Sequence, residues 1–272
     1  MREIASEIRG TSDIAAPARR RSEPLRPDSE RPIAIVREPR AGVELAEVSR
    51  AVVAAHAPTH SDRVARILSM LIACVALALL SPIMLLVAVV IRLSSPGPVL
   101  YAQARVGVNR RRSNAGPFAY DRRACDLGGR VFRIYKFRTM RIDAERRGVQ
   151  WATKNDPRVT ALGRFLRQSR LDELPQLFNV VRGDMNIVGP RPERPSIVRR
   201  LAASIEEYPL RLWIRPGITG LAQINQSYDT CLEDVRSKVR YDLDYIRRRS
   251  VREDLRIMLC TMPAMLFRRG GW

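Results

Sequence analysis

The 272-residue sequence predicts an α+β, mostly helical fold: a compact domain with a short-stranded sheet, preceded by one apolar segment and a polar tail. Three observations carry this. Residues 1–66 contain six prolines, twelve arginines, ten acidic residues and no Phe, Trp or Tyr, the first aromatic being Tyr101. Ile67–Ile91 is a run of 25 residues without a charge. Beyond it, short β-like runs alternate with helical stretches, separated by Gly/Pro-rich loops. The expected division is a disordered tail over 1–62, a membrane segment over 63–92 and a folded domain over 93–272.

The tail cannot bury enough apolar surface to offset the entropy of ordering it. A short helix around Val43–Ala55 is the one element expected there. An apolar stretch and cleavage site of the secretory kind are missing from its start.

The apolar run would be about 37 Å long as a straight helix, more than the roughly 30 Å of bilayer hydrocarbon. A buried core helix is the competing reading, but it would be unusually long and apolar on every face. Ser81-Pro82 lies near the centre, where proline removes a donor and crowds the carbonyl four residues back. Arginines flank both ends: Arg63 and Arg66 before, Arg92, Arg105 and Arg110–Arg112 after. Positive charge marks the cytosolic side of a membrane helix. A segment that enters, breaks at Ser81-Pro82 and returns to the same leaflet satisfies both flanks, whereas a plain crossing leaves the tail outside.

In the domain, Val99–Val106 and Val131–Arg138 read as strands, with a basic loop over Asn109–Gly129 between them. Alternation places Phe132, Ile134, Lys136 and Arg138 on one face, with the two cations about 7 Å apart, a spacing suited to phosphate. Most such pairs are simply solvated. Thr160 can cap a helix through Gly163, Phe165 and Leu166. A further helix is expected to start near Ser169–Asp172 with Pro175 in its first turn. Asp172 and Glu173 would then sit at a helix N-terminus, with Arg167 and Arg170 nearby to keep Asp172 ionised. Ordinary capping by acidic residues gives the same pattern. Met185–Val188 reads as a short strand ending in Gly189-Pro190-Arg191-Pro192, and Arg215–Gln223 forms a second Gly/Pro/Arg loop. Val235–Arg269 reads as one or two amphipathic helices lying on anionic lipid, or as a surface for a partner.

Charge and composition narrow the chemistry. Net charge is +20, and residues 67–272 carry 36 basic and 18 acidic side chains, so the domain meets something anionic. Nucleic acid, lipid headgroups and phosphorylated small molecules all qualify. At 6% aromatic residues the chain is poor in the stacking side chains that single-stranded nucleic acid needs. The only histidines, His56 and His60, lie in the tail, so histidine-based nucleophilic catalysis and His-ligated metals are excluded from the domain. Four widely spaced cysteines without a CxxC support neither zinc nor redox chemistry.

Taken together, SPGPVLYAQARVG, FRIYKFRTM, DPRVTALGRFLRQSRLDELPQLFNVVRGDMNIVGPRP and RPGITGLAQIN follow a Ser-Pro-broken apolar segment in this order. From about residue 63 onward the chain resembles the bacterial sugar transferase family, the monotopic polyprenyl-phosphate phosphoglycosyl transferases. The resemblance implies a re-entrant helix–break–helix at Ser81-Pro82, with the catalytic domain on the cytosolic face of the bacterial inner membrane. It maps the family's Asp-Glu dyad onto Asp172 and Glu173. In the family the aspartate attacks the β-phosphate of a UDP-sugar, releases UMP and holds the sugar phosphate covalently until polyprenyl (undecaprenyl) phosphate takes it. The step begins exopolysaccharide or capsule synthesis. The resemblance also implies Mg²⁺, with Glu173 close to the metal. Lys136, Arg138, Arg191, Arg105 and Arg215 are the cations expected to meet the phosphates and nucleotide. Expected partners are the UDP-sugar, polyprenyl phosphate and anionic lipid, with no nucleic acid; a homodimer is left open. Large members have several N-terminal spans where this chain has a tail, so it resembles the compact form. A membrane-tethered basic scaffold, or a nucleic-acid-binding protein, is the alternative from another class.

Overall fold

The computed structural model describes residues 60–109, 128–144, 156–226 and 231–267. The tail up to residue 59, with its expected helix at Val43–Ala55, and residues 110–127 of the basic loop lie outside the described residues.

A single 35-residue helix, α1 (His60–Ser94), contains the whole apolar run, with Asp62 in its first turn and Arg92 in its last. The expected break is absent as a break: the helix continues through Pro82. The reason is local. Proline at 82 leaves the carbonyl of Ala78 without its helical donor. The Ser81 hydroxyl donates to that same carbonyl at 2.9 Å. Side-chain repair of this kind lets proline persist in membrane helices. By length and composition α1 can cross a membrane, and only 11% of its most apolar stretch is buried.

Strand β1 (Leu100–Val106) pairs antiparallel with β2 (Val131–Phe137), Tyr101 opposite Lys136 and Arg105 opposite Phe132. One face of β2 buries Phe132 and Ile134 together with Ala73, Leu177, Val180 and Met185. The other face buries Phe137 with Val87, Ile91 and Leu166. Helix α1 therefore touches the domain through both halves, Ala73 in the first and Val87 and Ile91 in the second.

Helix α2 (Ala161–Gln168) is capped as its sequence suggests, Thr160 accepting from the Gly163 amide at 2.9 Å. Gly163 packs so closely on the Thr139 carbonyl that a Cβ there would collide with backbone. The next helix differs from expectation. Leu171–Glu173 forms a single 3₁₀ turn, and α3 (Gln176–Arg182) begins only after Pro175, its N-cap. Asp172 and Glu173 thus occupy the turn before the helix rather than its first turn. Proline has no N–H to enter a helical ladder and its ring crowds the preceding turn, so the regular helix starts at proline.

Strand β3 (Asn186–Val188) lies parallel to β4 (Gly217–Thr219), in register Asn186 with Gly217 and Val188 with Thr219. Between them run α4 (Pro195–Ser204) and a 3₁₀ stretch, Tyr208–Trp213. Then follow α5 (Leu221–Asn225), α6 (Leu232–Arg248) and α7 (Val251–Phe267). The expected C-terminal helical region is two helices, but the apolar stripe of α6 is not available to lipid. Val235, Val239, Leu243, Tyr245 and Ile246 are buried in the main core with Tyr208, Leu210 and Val198. Large apolar side chains stay outward at Leu255 and Leu259 of α7 and at Leu232, the first residue of α6.

Candidate active site

The 3₁₀ turn carrying Asp172 and Glu173 is pinned from three directions. Its start is Arg170, whose φ of 59° makes it the one non-glycine residue in the left-handed region among the described residues. That conformation reverses the chain at the end of α2. Behind the turn, α3 is clamped to the free edge of β2 by Asn179, which is fully buried. Its Nδ2 donates to the Arg133 carbonyl at 2.7 Å, and its Oδ1 accepts from the Tyr135 amide at 3.1 Å. The side-chain amide thus stands in for a neighbouring strand, and Lys136, the next residue of β2, is carried to Glu173.

The third direction is the Gly189–Pro192 loop. The Gly189 amide donates to the Thr219 carbonyl at 2.9 Å, and the Gly217 amide to the Pro190 carbonyl at 3.0 Å. Strand β4 thereby holds the loop on both sides of its turn. Arg211 adds a side-chain hold. Its Nη2 donates to the Arg191 carbonyl at 3.1 Å and lies 2.6 Å from the Asp242 carboxylate, and its Nη1 donates to the Tyr208 hydroxyl at 2.8 Å.

The result is a tight charge cluster. Glu173 Oε1 accepts from Lys136 Nζ at 2.7 Å and from Arg191 Nη2 at 2.7 Å. Burial alone would raise the Glu173 pKa, but Arg191 and Lys136 outweigh it and hold this carboxyl well below its ordinary range. The Arg191 pKa is raised in return, chiefly by Glu173. Burial lowers that of Lys136, against the opposing pull of Glu173. Asp172 behaves in the other sense. It is 7% exposed, and its Oδ1 has no hydrogen-bond partner. Burial pushes its carboxyl above the ordinary value, with Lys136 opposing and Glu173 reinforcing. The expectation that Arg167 and Arg170 keep this pKa low is therefore corrected: both act in that direction, but loss of hydration is larger.

The other expected cations are placed elsewhere. Arg138 lies just past β2, where its guanidinium donates to the Pro96 carbonyl at 2.7 Å and to Ser95 O and Oγ at 2.9 and 2.8 Å. It locks the Ser95–Pro98 turn instead of standing beside Lys136, because the regular strand ends at Phe137. Arg105 Nη1 donates to the Pro192 carbonyl at 3.0 Å and to Glu193 Oε2 at 3.2 Å. Glu193 also takes Lys238 at 3.0 Å. Burial works against ionisation of Glu193, yet Lys238 and Arg105 bring its pKa down to about 2. Arg105 thus supports the loop that carries Arg191. Arg215 lies near Arg66: burial, then the Arg215 charge, lowers the Arg66 pKa.

Of the residues expected from the sequence, the structure brings together Asp172, Glu173, Lys136 and Arg191. Sequence reasoning missed Glu193, Arg211, Asp242 and the clamping role of Asn179. These sit far apart in sequence, and apart from the acidic or amide side chain itself they carry no local signal.

Mg²⁺ is commonly held by one or two carboxylates together with substrate phosphates. The adjacent carboxylates of Asp172 and Glu173, one with a bare oxygen, fit that donor set. Among the described residues no group of three or more His, Cys, Asp or Glu could hold an ion without such a substrate.

A carboxylate with a bare, buried oxygen thus stands beside one that takes Lys and Arg on a single oxygen, in a domain whose long apolar helix is largely exposed. The sequence matches the bacterial sugar transferase family over residues 60–115 and 111–268, and the chain belongs to that family. It is 41% identical over 199 residues, 73% of its length, to UDP-N-acetylgalactosamine-undecaprenyl-phosphate N-acetylgalactosaminephosphotransferase of Aeromonas hydrophila. It is 43% identical over 205 residues, 74% of its length, to UDP-glucose:undecaprenyl-phosphate glucose-1-phosphate transferase of Xanthomonas campestris pv. campestris. It spans 43% and 38% of the length of these two relatives. A protein of the latter description from Caulobacter vibrioides is 40% identical over 203 residues, 74% of this chain and 69% of the relative.

Proposed function

We propose that the protein is a phosphoglycosyl transferase that moves a hexose-1-phosphate from a UDP-sugar onto undecaprenyl phosphate at the cytosolic face of the bacterial inner membrane, starting a surface glycan. The observation that carries this is the contrast within the dyad: Glu173 takes both Lys136 and Arg191 on one oxygen, while Asp172 keeps one buried oxygen bare. The relatives' names supply the substrate class.

In this reading Asp172 attacks the β-phosphorus of the UDP-sugar. A carboxylate O–P bond forms, the bond from the β-phosphorus to the bridging oxygen breaks, and UMP leaves with that oxygen. An oxygen of polyprenyl phosphate then attacks the same phosphorus and returns Asp172 as carboxylate. Neither step requires a histidine, and phosphoryl transfer depends mainly on positioning and charge neutralisation. Lys136 and Arg191 orient Glu173 and keep it ionised. Mg²⁺, held by the dyad with substrate phosphates, would supply further neutralisation of the diphosphate.

The placement of α1 supports a re-entrant arrangement. Near its start, Arg66 donates to the carbonyls of Met185 and Val180 at 2.9 and 2.7 Å, and Asp62 pairs with Arg249 at 2.8 Å. Near its end, Ile91 is fully buried against the domain. A helix with both ends on one domain dips into one leaflet more readily than it crosses two.

UMP release, measured with a panel of UDP-sugars, polyprenyl phosphate and Mg²⁺ and with the full chain in detergent, tests the reading. Release with one sugar is expected, and Asp172→Asn should abolish it while the protein stays folded. Full activity in Asp172→Asn would remove the nucleophile assignment.

A further inference from the structure

The dyad and its two cations form a neutral set, since Lys136 and Arg191 balance Asp172 and Glu173. Both cations are already committed, each 2.7 Å from Glu173 Oε1. A carboxylate attacking a phosphate is an anion approaching an anion, so the incoming group needs positive charge not already spent. Arg138 is bound to Ser95 and Pro96, and Arg105 to Glu193 and Pro192. Arg167 shares its Nε with the Thr139 hydroxyl at 3.0 Å.

Arg170 differs from all of these. Its side chain is half-buried and makes no hydrogen bond or ion pair among the described residues. Its carbonyl accepts from the Glu173 amide at 3.1 Å, so it is part of the same turn as the dyad. It is also held at φ 59°, a conformation that favours glycine and asparagine over arginine. An arginine held where a smaller residue would fold with less cost, in the same turn as a carboxylate with a bare oxygen, points to a ligand.

Resting on the active-site reading above, we propose that Arg170 is a phosphate-binding residue of this site, taking a phosphate of the nucleotide donor or of the lipid acceptor. Its guanidinium offers that phosphate a parallel pair of donors, whereas Lys136 and Arg191 each already give a hydrogen bond to Glu173.

The test separates backbone from charge. Arg170→Asn and Arg170→Gly keep or ease the left-handed conformation and remove the cation, while Arg170→Lys keeps the cation without the fork. Binding of UDP and, separately, of polyprenyl phosphate is measured directly on the full chain in detergent. One of the two affinities should fall about tenfold in the Asn and Gly variants, with an intermediate loss in Lys and a melting temperature equal to or above that of the unaltered chain. The ligand whose affinity falls identifies the source of the phosphate. Unchanged affinity for both ligands in Arg170→Asn overturns the proposal, as does failure of the unaltered chain to bind either. Absence of UMP release with ligand binding intact would instead count against the proposed reaction.

Discussion

Two adjacent carboxylates are driven in opposite directions by their surroundings. Burial raises Asp172, whereas Arg191 and Lys136 overcome burial at Glu173 and lower it. Divergence between neighbouring acids often marks a division of roles. In the proposed reaction the depressed partner organises the cations and the elevated one is left to react. The Glu173 shift has a consequence for stability. Its folded-state pKa lies below the ordinary value of 4.5, so the folded chain binds fewer protons there than the unfolded chain. The stabilisation is complete above that value and is lost as pH falls through the folded-state pKa. Glu173→Gln should therefore be about 2 kcal/mol less stable near neutral pH, leaving two half-buried cations partly uncompensated. The gap should narrow on acidification below pH 4.5. Thermal melts of both chains from neutral to acidic pH check this, and a gap that stays constant across the range would show that Glu173 is not held ionised.

At the level of elements, the dyad's position depends on how closely α2 and α3 approach the strand end. Gly163 is the critical contact for α2. A Cβ at 163 would collide with the Thr139 carbonyl, which also accepts the Thr160 amide at 3.0 Å. Gly163→Ala should force α2 off Thr139 and cost about 2 kcal/mol or more. The Arg167–Thr139 hydrogen bond should loosen with it, and turnover should fall further than the melting temperature alone explains. Denaturant melts and UMP release on the same preparation separate the two effects. This contact shows which parts of the fold could be read from the chain. Thr160, Gly163 and Leu166 announced a capped helix, and alternation announced β2, because caps and periodicities are local. The left-handed Arg170, the late start of α3 and the Asn179 clamp were not legible, because each is settled by contacts 30 or more residues away or by competition between a turn and a helix. Arg138 shows the same limit. Period-two logic put it beside Lys136, but the strand ends one residue sooner and the Ser95-Pro96 turn captures the guanidinium. Glu193 and Asp242 went unseen for a related reason: a buried acid with a distant cationic partner looks in sequence like any surface acid.

At the scale of the molecule, the question is how a helix able to cross a bilayer coexists with a domain that touches both of its ends. Straight, the 35 residues of α1 would extend about 52 Å. Its exposed apolar side chains include Leu79, Leu85 and Leu86 near Pro82, at 72%, 67% and 63% exposure, while Ala73 and Ile91 on either side are fully buried in the domain. The helix therefore lies along the domain on one face, through Ala73, Val87 and Ile91, and turns its other face outward, around Pro82 as well as nearer its ends at Leu71 and Leu93. In the proposed re-entrant arrangement, lipid covers the outward face around Pro82 while Asp62–Arg249 and the Arg66 contacts stay on the domain, so the greasy stretch sits in one leaflet and both ends lie in water on the same side. Ser81 closing the Ala78 carbonyl lets the helix bend there without an orphaned acceptor in hydrocarbon. Single cysteines at exposed Arg63 and Ser94, in a chain whose own cysteines are replaced, should both react with a membrane-impermeant maleimide from the cytosolic face of inverted vesicles. Neither should react in right-side-out vesicles. Labelling of position 63 only from the opposite face would mean that α1 crosses. The Arg66 hydrogen bonds to Val180 and Met185 would then have to be broken in the membrane, since a domain on the cytosolic side could not hold a residue on the far one.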